Sequence, residues 1–252
     1  MASFDPHTQN VTFYLADGET PFHAPIPQID GNIVYTASVC INYGTQLGAA
    51  LAMLLVTLIM TPFAKLRRPS GILQLLVLLL CVIRMALLSA YFPSGFNEFY
   101  NILSGDFSAV PRSDFHISVT ANTFSLLLVF AIELALMHQA WAMVSLWPDL
   151  ARYTLSAISI LITLLTVGWR LAATTIQNKS VLSLTSTQDT LWVAQWAVIT
   201  NAVSICWFCA LFNAKLVAHL IANHGVLPSR KSLSPMEVLV MTNGVLMVIP
   251  GT

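Results

Sequence analysis

Apolar residues run through this chain in long unbroken stretches, with none of the alternation of a half-buried strand. Five stretches can cross a bilayer as helices, roughly Val39–Met60, Ile72–Phe92, Phe115–Val144, Tyr153–Leu171 and Trp192–Ile221, because a span takes about 20 mostly apolar residues. A sixth starts near Met236 and reaches Pro250 before the sequence ends at Thr252. That is about 22 Å of helix against a hydrocarbon core of about 30 Å, too short to cross alone. Unbroken runs also exclude a membrane β-barrel, whose strands alternate. The pattern predicts an all-α, multi-pass transmembrane helical bundle over residues 39–252, five helices complete and the sixth partial, behind an extracellular tail of residues 1–38.

In the tail, Asn10 to Ala16 is rich in β-branched and aromatic residues and Asp17-Gly18 offers a turn. A short strand or hairpin and a disordered tail both fit that composition. Pro21, Pro25 and Pro27 favour an extended link into the first helix.

Composition supports the same class. Hydrophobic residues make up 56% of the chain and charged ones 9%, whereas a soluble domain carries about 25% charge. Eleven basic and eleven acidic residues cancel, so no bulk charge points to nucleic acid. Basic residues mark one side of the membrane: Lys65, Arg67 and Arg68 in the first loop, Arg152 in the third, Lys215 at a helix end, Arg230 and Lys231 in the fifth. The other side holds Arg112 and Lys179, with Arg170 at a helix edge. The positive-inside rule then places the N-terminus outside. The sequons Asn10-Val11-Thr12 and Asn178-Lys179-Ser180 fall on that outer side and are glycosylation candidates.

Polar side chains inside a bilayer are costly and turn toward the bundle interior. Ser118, Asn122, Ser125 and Glu133 share one stripe on the third run. Arg84 on the second run lies at a depth near that of Asn122, and Glu133 is deeper by roughly 10 Å, which argues against an Arg84–Glu133 ion pair. Gln74 comes closer to the level of Glu133 and Gln139. These groups read either as glue between helices or as a polar lock that a ligand rearranges. Gly44 and Gly48 form a GxxxG on the first run, which fits a dimer face and packing within one chain equally well. No nucleophile elbow, zinc motif, metal-spaced histidine cluster, phosphate loop or paired acids stand out, so the sequence predicts neither an enzyme nor a cofactor or metal site. A transporter would show an internal repeat, and none is visible.

Several stretches, in order, resemble the fungal α-factor-type mating-pheromone receptors, the class D G-protein-coupled receptors. They are Phe4-Asp5-Pro6, Gly44 to Ala50, Arg67-Arg68-Pro69, Ala131-Ile132-Glu133 with Gln139, Thr187-Gln188-Asp189, Pro235-Met236-Glu237 and Val248-Ile249-Pro250. The resemblance covers almost the whole chain and implies a seven-helix receptor type that stops within its sixth helix. It also implies a secreted peptide pheromone as ligand, a heterotrimeric G protein as partner, homodimerisation and the plasma membrane as location. Gln46, Asn122, Gln188, Asp189 and Trp192 match positions of the family's ligand pocket, with Arg84 and Tyr91 as further candidates. Gln74 and Gln139 match its polar lock, and Arg230 and Lys231 suit contact with the G protein. A non-signalling chain that pairs with full-length receptor and dampens it is the alternative.

Overall fold

A computed structural model describes residues 9–15, 17–145, 148–183 and 190–222. Two strands come first, β1 (Asn10–Tyr14) and β2 (Pro21–Pro25), then α1 (Ile26–Met60), α2 (Phe63–Leu66), α3 (Pro69–Tyr91), a 3-10 turn (Gly95–Asn97), α4 (Phe99–Ser104), α5 (Arg112–Val144), α6 (Asp149–Ser183) and α7 (Leu191–Ala222). Helices α1, α3, α5, α6 and α7 are long and apolar enough to cross a membrane, one for each of the five complete apolar runs. The partial sixth run lies outside the described residues, as do Gln188, Asp189, Arg230 and Lys231.

The tail forms a hairpin. Strands β1 and β2 pair antiparallel, with Phe13 opposite Phe22 and Thr12 opposite His23. Gly18 takes a positive φ of 72°, which glycine adopts without steric cost. The Asp17 carboxylate closes the turn, its Oδ1 accepting the amides of Glu19 (3.1 Å) and Thr20 (3.0 Å) and its Oδ2 the Thr20 hydroxyl. These bonds, the Thr20 hydroxyl foremost, hold the Asp17 carboxyl below its ordinary 3.8. A depressed carboxyl stabilises the fold above its unfolded value and loses that contribution as pH falls through the lower folded one. The Glu19 and Thr20 amide shifts are therefore expected to stay constant at neutral pH and to move together below 3.8. A chain carrying Asp17→Ala should lack that step; a step that persists would assign it to another group.

The extended segment before the first helix is strand β2, which holds Pro21 and Pro25, whereas Pro27 lies in the first turn of α1, which begins at Ile26. Proline is tolerated there because the first amides of a helix have no intrahelical partner to lose. The Ile26 amide instead donates to the Gln9 carbonyl at 3.0 Å, so the hairpin runs directly into the helix. Helix α1 thus starts 13 residues before Val39, and α6 runs 12 residues past Leu171.

The chain divides into two compact units. One comprises Met1–Arg67, Leu75–Leu128 and Gln177–Ser186; the other comprises Arg68–Gln74, Val129–Ile176 and Thr187–Thr252. In the first, the hairpin rests on the segment between α3 and α5. Phe13 packs on Phe99 (5.7 Å between ring centroids), Phe22 on Tyr100 (6.3 Å), and the Tyr100 hydroxyl donates to the Tyr14 carbonyl at 3.1 Å. Phe96 sits among Tyr91, Phe107 and Phe115, with its ring edge-on to Phe115 at 4.8 Å. Gly105, at φ 70°, ends α4 and donates its amide to the Asn101 carbonyl.

In the second unit the polarity of a soluble protein is inverted. Along α6, Leu161 and Leu164 are 67% and 65% exposed, while Ser159 and Thr166 are 2% and 1% exposed. Apolar side chains outward and hydroxyls inward is the arrangement a bilayer requires.

Candidate functional site

Two groups of polar residues are built inside these helices. The first, in the Met1–Arg67, Leu75–Leu128 and Gln177–Ser186 unit, joins α3, α5 and α6. The Arg84 Nε donates to the Ser125 hydroxyl at 2.8 Å, and that hydroxyl donates to the Ala121 carbonyl. Three positions back on α5, the Asn122 Nδ2 donates to the Asn178 Oδ1 at 3.0 Å. Residues three apart share a helix face, so Asn122 and Ser125 form one polar layer, engaged by Arg84 from α3 and Asn178 from α6. Tyr91, at the end of α3, stacks on Phe96 at 6.0 Å.

The second group, in the other unit, joins α5, α6 and α7. Glu133, 1% exposed, accepts on Oε2 the hydroxyls of Ser204 (2.9 Å) and Thr163 (3.2 Å). On one side of this rung the Trp207 Nε1 donates to the Ser159 hydroxyl at 3.0 Å. On the other, the Thr166 hydroxyl donates to the Thr200 carbonyl at 3.2 Å. Numbers rise on α6 as they fall on α7, so the three contacts are the rungs of one antiparallel ladder, with Glu133 of α5 set into the middle. Its Oε1 meets no hydrogen-bond donor among the described residues.

Of the stripe Ser118, Asn122, Ser125 and Glu133, Asn122 and Ser125 therefore serve one site and Glu133 the other. Arg84, placed by depth near Asn122, bonds Ser125 three residues further along α5, and no bond joins it to Glu133 among the described residues. The expected company of Glu133 is different. Gln74 and Gln139 are both exposed, and the described hydrogen bonds of Glu133 go to Thr163 and Ser204. Those partners, with Ser159, Thr166, Thr200 and Trp207, were not singled out in the sequence. The available signal was the repeat of small hydroxyl residues at spacings of four and three on the fourth and fifth apolar runs.

The remaining candidates are dispersed. Gln46 is exposed on α1 and donates to Asn42 Oδ1 at 3.0 Å one turn away. Trp192 lies edge-on to Trp169 at 5.8 Å, and Trp196 stacks on the same ring at 6.3 Å. Arg67 and Arg68 are exposed, and the Arg152 guanidinium sits 5.5 Å from the Trp141 ring centroid, a cation–π contact. Lys215 is half-buried on α7. Gly44 and Gly48 are exposed, and a Cβ added at either would meet nothing within 4 Å. Asn10 is exposed in β1, whereas Asn178 lies inside α6 and not in the surface loop a used sequon requires. Among the described residues, no three His, Cys, Asp or Glu side chains are grouped to hold a metal ion.

The family model described as fungal pheromone mating factor STE2 GPCR matches residues 4–252. No curated protein matches the chain.

Proposed function

The chain belongs to the STE2 family of fungal pheromone mating-factor G-protein-coupled receptors, and we propose that it binds a secreted peptide of the α-factor type and signals to a heterotrimeric G protein. It is a multi-pass membrane protein of a receptor family. One observation supports the peptide reading above others: Arg84, Ser125, Asn122 and Asn178 form a polar layer across three apolar helices. An intramembrane group of that kind is a site by default, and Asn122 is a position the resemblance assigns to the pocket. The resemblance also assigns Gln46, Gln188, Asp189 and Trp192 to the family's pocket, with Tyr91 as a further candidate. Gln74 and Gln139 remain the proposed lock, with Glu133 acting through its ladder.

The positive-inside rule supports an extracellular N-terminus, which leaves Asn10 open to glycosylation and puts Arg67, Arg68, Arg152, Lys215, Arg230 and Lys231 on the G-protein side; the family supports the plasma membrane as location. Binding of a fluorescent α-factor-type peptide to cells tests the reading. Asp189→Asn is expected to weaken it by about tenfold, the loss of a charged hydrogen bond, at unchanged surface number. Unchanged affinity would remove Asp189 from the pocket.

The open Gly44–Gly48 face supports self-association, since small residues let two backbones approach closely. Leucine at both positions is expected to lower energy transfer between labelled copies; an undiminished signal would reject this face as the contact. The same face supports the second reading, in which the chain pairs with another receptor of the family and dampens it without signalling itself. Failure to co-precipitate with such a receptor would end that reading.

A further inference from the structure

We propose that Asn178 is a positioning residue of the peptide site: it takes the hydrogen bond of the Asn122 Nδ2 and so leaves the Asn122 oxygen to accept from the ligand. The inference rests on the reading of Asn122 as a pocket residue and adds the chemistry it offers. The contact is 3.0 Å long and joins two helices, α5 and α6, through half-buried carboxamides. A carboxamide carries its acceptor and its donors on opposite sides. Once Nδ2 is held by Asn178, the orientation of Oδ1 is fixed. Among the described residues that oxygen receives no hydrogen bond, and it is not among the buried polar atoms left unpaired, so it is open to an incoming group.

The partner it suits is a donor on the peptide, a backbone N–H or an ammonium. Arg84, engaged on the same face of α5 through Ser125, supplies the opposite polarity. Without Asn178, the Asn122 side chain can turn over and present nitrogen, and discrimination for a donor is lost. Asn178 also opens a sequon, but a glycan acceptor belongs on a surface loop, and this carboxamide is half-buried within a helix.

The test uses the whole chain in membranes and a fluorescent α-factor-type peptide, with surface number measured in parallel. Asn178→Leu removes the acceptor and is expected to weaken binding by about fivefold to tenfold, one hydrogen bond's worth, at equal surface number. Asn178→Asp can only accept, so it keeps the bond from Asn122 while removing the sequon, and is expected to bind within about twofold of the parent. Parent-like binding by Asn178→Leu, or equal weakening by Asn178→Asp, overturns the proposal. Asn122→Leu separates the two levels. If it weakens binding while Asn178→Leu does not, only the positioning role falls; if neither weakens it, the pocket reading falls as well. Should the leucine variant not reach the surface, Asn178→Ala removes the same acceptor with less bulk and is read in the same way.

Discussion

Glu133→Ala is expected to destabilise the α5–α6–α7 unit by about 2–3 kcal/mol, through a cavity and two lost hydrogen bonds. For a chain of this size that corresponds to a fall of roughly 5–10 °C in the midpoint of detergent melting. Two hydroxyls on different helices converge on Glu133 Oε2, and alanine supplies neither the acceptor nor the volume. Each hydroxyl can fall back on a carbonyl of its own helix, which limits the loss. Glu133→Gln keeps an oxygen where Oε2 stands and nearly the same volume, so it is expected to remain within about 1 kcal/mol of the parent. An alanine variant that melts with the parent would show that the ladder holds without its middle rung. A glutamine variant as unstable as alanine would show that the second oxygen, not Oε2, carries the contribution.

The second large effect is expected at Phe96→Ala. Its ring meets Tyr91, Phe107 and Phe115 with centroids 6.0, 5.9 and 4.8 Å away, and it is half-buried. Full burial of a phenylalanine makes truncation cost 3–5 kcal/mol, so about 2 kcal/mol is expected here. The loss should be local. Backbone amides between α3 and α5 are expected to exchange faster with deuterium, while those of the α6–α7 ladder keep their protection. Equal acceleration in both regions would mean that Phe96 supports the whole bundle.

Much of this architecture can be read from the chain because hydrocarbon imposes a simple condition: every span is a long apolar helix. Five runs gave five helices. Helix starts were less legible. Apolarity marks where a helix enters lipid, not where it begins, and the first turn of α1 carries Pro27, a residue that a helix interior would reject. The hairpin was readable from its β-branched strand and Asp17-Gly18 turn, but its support on Phe99 and Tyr100 joins residues far apart in sequence.

Arg84 could be placed by depth near Asn122, within one turn of its partner Ser125, since a helix converts residue number into height. The ladder could not. A serine or threonine in an apolar run usually bonds to its own helix, as Ser159 and Thr200 also do here. Only the register of α6 against α7 reveals which hydroxyls cross. Glu133 was recognisable as an interior group, but its partners were hydroxyls and not the amides expected for it.

The three rungs also set how α6 and α7 can move. Each rung has an unlike pair: indole with hydroxyl, carboxyl with two hydroxyls, hydroxyl with backbone carbonyl. A slip of one turn, about 5.4 Å, would carry the bulky indole of Trp207 toward the level of the Glu133 carboxyl and break the match. The two helices therefore have one keyed alignment. Sliding one helix past the other costs all three rungs at once, so the pair is expected to tilt or roll together as a single beam.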